Sequence, residues 1–239
     1  MDPMDSSGDV GGTAAPKGLG LSALEVLTTT RAVRRRLDLD REVDRAALVE
    51  CTRIAQQAPS GRNRQPWDFL FVTDPVRRAE LARLWRLGLT HPTGVDHDSA
   101  PSREDFAGPG WRAIAGSLEY LIDNLQRVPV LLVPCVQVGS RAELSDWVIQ
   151  AGTWGSVLPA VWSFMLAARE HGLGSVWTTP HLHYEREAAE ILGVPFQSVV
   201  QCALIPLAHT VGHRLQARSP GQPRAGRALG FLVKHVLRE

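Results

Sequence analysis

The chain has 239 residues, 44% of them hydrophobic and 21% charged, with a formal net charge of +1. That length carries one sizeable core, and the near-neutral balance gives no electrostatic reason to expect nucleic acid or an anionic membrane as partner. No run approaches the roughly 18 apolar residues of a membrane span, and the N-terminus lacks the basic and apolar regions of a signal peptide, so a cytoplasmic protein is expected.

Residues 1–20 are small, polar and Gly-rich and cannot bury enough apolar surface to offset their ordering entropy, which predicts a disordered tail ahead of a single domain over 21–239. Ser22 with Glu25 forms a capping-box pattern that opens a short helix. The run T-T-T-R-A-V-R-R-R from Thr28 to Arg36 then gathers guanidinium groups, which match a phosphate with paired hydrogen bonds. Arg31 and Arg34 are three apart, so after a short helix they can converge on one anion, with a solvated basic face as the plainer reading.

Asp44 caps a second helix in which Ala47, Leu48, Cys51, Ile54 and Ala55 keep the helical period. It runs into Ala58–Phe69, A-P-S-G-R-N-R-Q-P-W-D-F, where Pro59, Gly61 and Pro66 forbid a continuous helix and Ser60, Asn63 and Gln65 offer short polar groups. This is a shaped loop suited to a flat polar ligand, or else an ordinary helix-to-strand connection. Trp67 is expected in the core. Asp68–Val72 reads as a strand, and Asp74 with Pro75 restarts a helix.

Residues 87–110 turn to His, Pro, Gly, Asp and Ser without periodicity, as expected of a variable lid. A helix over Trp111–Gln126 precedes Val128–Val138, a core strand whose prolines predict a bulge or an edge position. Glu143–Glu170 is apolar around more than one helical face and so belongs to a central core, to a subunit contact, or to both. Gly172 and Gly174 end it, followed by a strand and turn over Ser175–Pro180, a helix over Tyr184–Leu192, a strand over Val199–His209 and a last strand at Phe231–Leu237. The order is not a βαβ series, and Cys51, Cys135 and Cys202 read as reduced core residues.

Four pieces stand in series: R-A-V-R at Arg31–Arg34, A-P-S-G-x-N-x-Q-P-W at Ala58–Trp67, G-L-G-S-V-W-T-T-P at Gly172–Pro180 and A-L-I-P-L at Ala203–Leu207. In order and spacing this resembles the nitroreductase-like flavoproteins, over about residues 21–220. The resemblance implies an α+β fold with a mainly antiparallel central sheet flanked by helices, and a homodimer with FMN at the subunit interface. It assigns phosphate binding to Arg31, Arg34 and Arg218, with Ala32 and Val33 between, Ala32 standing where the family often has Ser. Arg34 or Arg35 is the candidate cation near the flavin's pyrimidine edge. Pro59, Ser60, Gly61, Asn63 and Gln65 would line the ring's edge. The backbone of Thr178, Thr179 and Pro180 would lie near its hydride-accepting nitrogen.

The resemblance also implies that NAD(P)H docks transiently, delivers hydride in a ping-pong cycle and yields its place to a nitroaromatic, quinone or similar small acceptor. No catalytic side chain is assigned. A flavin-binding storage or sensor protein without turnover remains open. So does a metal-dependent hydrolase built on His181 and His183, with Glu185, His209 and His213 nearby in sequence. Ser156 and Ser175 lack the G-x-S-x-G setting of a serine nucleophile.

Overall fold

A computed structural model describes residues 18–91 and 109–212, with side chains from 115 onward in the second stretch. Most of the tail, most of the 87–110 segment, His213, Arg218 and the strand expected at Phe231–Leu237 lie outside the described residues.

The first three helices begin where a short polar side chain caps them. The Ser22–Glu25 capping box opens α1 (Ala23–Thr29), Asp44 accepts from the Ala46 amide to start α2 (Arg45–Ala55), and Asp74 accepts from the Arg77 amide to start α3 (Pro75–Leu89). Then come α4 (Pro109–Asn124), α5 (Trp147–Glu170) and α6 (Glu185–Leu192). The apolar run expected as one helix from Glu143 is divided. Arg141–Ser145 forms a 3-10 turn, and Asp146 takes an extended conformation so that its carboxylate can accept from Val148 and Ile149. Gly172 (φ 74°) ends α5 in the left-handed region.

The sheet is antiparallel throughout its named strands, β1 (Trp67–Val72), β2 (Val130–Gln137), β3 (Leu173–Ser175), β4 (Val199–Gln201) and β5 (Ile205–His209), in the order β1-β2-β5-β3 with β4 also on β2. Helices cover both faces. One core joins α2 and α5 to the sheet through Leu48, Cys51, Val157, Val161 and Phe164; the other joins α3, α4 and α6 through Leu81, Trp85, Leu121 and Ala188. Trp67 is buried and stacks on Phe69 at 5.0 Å between ring centroids. Ile54, expected with its neighbours in the core, faces outward.

The predicted strand over Val199–His209 is two strands, and the reason lies opposite Pro134. Leu132 pairs with Ile205 and Cys135 with Gln201, so the two residues Val133 and Pro134 face three, Cys202–Leu204. This is a β-bulge. The carbonyl of Pro134 accepts from the Cys202 amide at 2.8 Å, and in a strand the nitrogen points to the same side, so the missing donor is directed at the bulge. The bulge expectation is met. The edge expectation is not, since β2 has neighbours on both sides.

The strand expected over Ser175–Pro180 lies earlier, at Leu173–Ser175, with one further bridge from Thr178 to Leu204. Pro180–Tyr184 closes into a 3-10 turn. Along α5, Val157, Ala160, Val161, Phe164 and Ala168 are buried while Trp147 (77% exposed), Val148, Ile149, Leu158 and Trp162 (45%) meet solvent. The helix therefore has one face in the core and a second that is apolar and, among the described residues, uncovered, of the kind that marks an interaction surface.

Candidate functional site

The arginine segment is not helical: it is extended to Val33 and then turns over Arg34–Arg36, where the Leu37 amide donates to the Arg34 carbonyl at 3.3 Å. α1 ends at Thr29, Ala32 bridges Ser175 in parallel, and the Val33 amide donates to the Ser175 carbonyl at 2.9 Å. An extended stretch that runs into a turn does not have the helical period, so the convergence expected of Arg31 and Arg34 does not follow from their spacing. What sets Arg34 apart in this segment is the burial of its guanidinium nitrogen. Arg34 Nη1 reaches Ser117 Oγ at 3.4 Å, its Nε is buried with no hydrogen-bond partner, and desolvation lowers its pKa. Among the described residues no carboxylate pairs with it. Arg35 turns outward, Nε donating to the Gly116 carbonyl at 3.1 Å.

Gly174 lets this segment approach β3, because a Cβ there would meet Thr210 Cγ2 at 2.7 Å and Val33 Cγ1 at 2.9 Å. The R-A-V-R and G-L-G-S-V-W-T-T-P pieces are thus packed together. From Ser175 the chain continues to Thr178, whose amide and carbonyl both bond Leu204 (3.2 and 2.8 Å) and whose hydroxyl donates to the same Leu204 carbonyl at 2.5 Å. The Pro180 carbonyl lies against Gly88 of α3, where a Cβ would come within 1.9 Å of that oxygen.

The loop before β1 is a single 3-10 turn, Gly61–Asn63, with Arg62, Asn63 and Gln65 at φ 57°, 53° and 44°. Three non-glycine residues in the left-handed region carry strain that such segments retain mostly at functional sites. Ser60 Oγ accepts from the Gln65 amide at 2.9 Å, and Gln65 Nε2 donates back to the Gln56 carbonyl at 2.8 Å. Ser60 and Gln65 therefore shape the loop from within. Asn63 is exposed, and at Gly61 an added Cβ would meet nothing within 4 Å. The Gly61 amide donates to Ser156 Oγ on α5 at 3.3 Å.

Among the described residues no hydrogen bond joins 59–65 to 31–35 or to 178–180. The sheet nevertheless carries the loop and Thr178–Pro180 toward the same end. Residues 173–178 run parallel to β2, and β1 begins opposite Val136 near the C-terminal end of that strand.

The metal alternative separates on inspection. His181 and His183 sit in a 3-10 turn, not on one face of an extended segment: His181 points inward, and His183 stacks on His91 at 4.5 Å. Glu185 is held by Arg141 at 2.7 and 2.8 Å. Ser156 Oγ donates to the Gly152 carbonyl and serves the loop, while burial pushes the Cys51 and Cys135 thiols up to about 12, leaving them poor nucleophiles.

FMN would need an anion partner, an edge open to a flat ring and a backbone facing that ring. The unpaired Arg34 Nε, the open space beside Gly61 and the laddered Thr178 segment fit those needs. Ser117, Ser156 and Gly88 were not legible as contributors, since each acts through a partner that is distant in the sequence.

The sequence profile described as the nitroreductase family matches residues 27–212. No curated protein matches the chain. Among solved structures, the FMN and NADPH-dependent nitroreductase NfnB from sphigopyxis sp. strain HMH is 26% identical with a TM-score of 0.63, over 86% of this chain and 96% of that one. Iodotyrosine deiodinase bound to FMN and 3-iodo-L-tyrosine is 21% identical with a TM-score of 0.58, over 85% and 98%. A BluB-like flavoprotein from Clostridium difficile 630 is 17% identical with a TM-score of 0.60, over 85% and 95%. The last two likenesses concern the fold alone.

Proposed function

Because the chain belongs to the nitroreductase family, we propose that it is an FMN-dependent oxidoreductase that uses NAD(P)H to reduce a nitroaromatic, quinone or similar small acceptor. The observation that carries this is the half-buried Arg34 guanidinium, which among the described residues has a buried Nε without a partner and no carboxylate beside it, on a segment packed against the Gly172–Pro180 strand and turn. A guanidinium so placed is suited to a phosphate. The dependence of NfnB on FMN and NADPH supports the same cofactor and donor.

In this reading FMN, when bound, would supply the two-electron chemistry between NAD(P)H and the acceptor. The chain's own part is binding and orientation. Arg34 holds the phosphate, joined by Arg31 and by Arg218 from outside the described residues. Gly61 leaves the ring's edge open, Asn63 offers an exposed amide to it, and the Thr178–Pro180 backbone is held flat by its two bonds to Leu204. The uncovered apolar face of α5, with Trp147, Ile149 and Trp162, suits a second copy of the chain. A dimer would also supply what the loop at 59–65 lacks among the described residues, a wall facing its exposed side.

The test is the visible spectrum of the purified protein, with its chromophore extracted and identified, before and after anaerobic NADPH. FMN bands that bleach, and return when a nitroaromatic or quinone is added, are the expected result. FMN bands that persist with either nicotinamide would replace turnover by storage or sensing. A protein that takes up no FMN would overturn the reading.

A further inference from the structure

A fully buried imidazole without a hydrogen bond is costly, and an apolar side chain fills such a place more cheaply. His181 is 0% exposed and, among the described residues, neither ring nitrogen has a hydrogen-bond partner. Burial draws its pKa down to about 4, an effect that the facing Gln201 side chain only partly offsets, so the ring is neutral at pH 7. Gln201 is 2% exposed, and its Oε1 is also without a hydrogen-bond partner among the described residues. Two complementary polar groups thus face each other in the core, one with an N–H to give and the other with an oxygen to accept it.

Gln201 cannot turn away. Its amide donates to Glu185 Oε1 at 2.8 Å and its Nε2 to the Glu185 carbonyl at 2.9 Å, while Arg141 grips the Glu185 carboxylate from the turn before α5. Arg141 is itself fixed by the Val199 and Phe196 carbonyls and by the Phe196 ring, 3.6 Å from its guanidinium carbon. The amide oxygen is therefore presented by a rigid support. On the other side, His181 directly follows Pro180, whose carbonyl is packed on Gly88, and Thr178 is laddered to Leu204.

We propose that His181 and Gln201 act as a pair of positioning residues, holding the Thr178–Pro180 backbone at the height from which the Thr179 N–H serves the flavin ring. The inference rests on the flavin reading of the site. A ring N–H donated to Gln201 Oε1 would satisfy that oxygen and one of the two ring nitrogens, and would tie the turn after Pro180 to β4. The pair touches no substrate and moves no proton.

The full-length protein is titrated with oxidised FMN and with dithionite-reduced FMN, comparing wild type with His181→Leu, Gln201→Met, the double variant and His181→Asn. Each single apolar variant is expected to lower the ratio of reduced to oxidised affinity about tenfold, which for a two-electron couple is about 30 mV in midpoint potential. Oxidised FMN affinity should change less than threefold. The double variant should fall no further than either single one, and His181→Asn, which keeps a donor, should recover part of the loss. An unchanged ratio in the single variants, additive losses in the double, or equal losses for both forms of FMN would overturn the pairing. If His181→Leu fails to fold, Gln201→Met and His181→Asn read the same ratio. A wild-type chain that binds no FMN overturns the flavin reading and this inference with it; a wild type that binds FMN beside variants of unchanged ratio overturns the inference alone.

Discussion

Residues 59–65 and residues 178–181 head for the same end of the sheet but are built in opposite ways. The first is an exposed loop that bonds mostly to itself, Ser60 to Gln65 and Gln65 to Gln56, with one long-range tether at Ser156. The second is held by other elements: Leu204 on β5's side, Gly88 on α3, and Gln201 facing His181 from β4. A self-shaped loop can be approached from outside without disturbing the core. A segment held from three sides cannot move without moving the core as well.

The contrast breaks most readily at Gly88. Gly88→Ala places a Cβ 1.9 Å from the Pro180 oxygen, and forcing the two apart should lower stability by about 3 kcal/mol, read from denaturant unfolding. No substitution in the exposed loop should approach that cost, and one that did would erase the distinction. Arg34→Gln tests the boundary between the two regions. Losing a charged hydrogen-bonding partner worth about 2 kcal/mol should weaken FMN about thirtyfold while leaving riboflavin, which has no phosphate, nearly unaffected in equilibrium titration. Equal losses for both would move the phosphate elsewhere. Ser156→Ala should cost least, about 1 kcal/mol, and appear as faster hydrogen exchange at the Gly61 amide with the Thr178 amide unchanged. Faster exchange at both amides would mean that the halves are mechanically joined.

The same division explains what the sequence made legible. Caps are local, so Ser22, Asp44 and Asp74 could be read from short patterns, and the turn chemistry of Pro59–Pro66 marked the loop without a structure. Pro134 announced a bulge but not its location, because a bulge belongs to the partner strand as much as to the proline. The contributions of Ser117, Ser156, Gly88 and Gln201 depend on contacts that no window along the chain contains. His181 and His183 misled for a related reason. Alternation on an extended strand and a 3-10 turn place i and i+2 differently, and the sequence T-T-P-H-L-H-Y does not decide between them.

The extra residue between β4 and β5 acts as a parity switch. Val199 and Gln201 face the α3–α6 side of the sheet and Val200 the other; beyond the bulge the assignment reverses, with Leu204 and Ala208 on the α3–α6 side and Ile205 and Leu207 on the α5 side. Cys202 and Ala203, consecutive in the chain, share one face. Counting modulo two along this edge therefore decides whether Gln201 looks at His181 or at the opposite core. A deletion of one residue from Cys202–Leu204 would leave the composition almost intact and send that amide through the sheet to the wrong side.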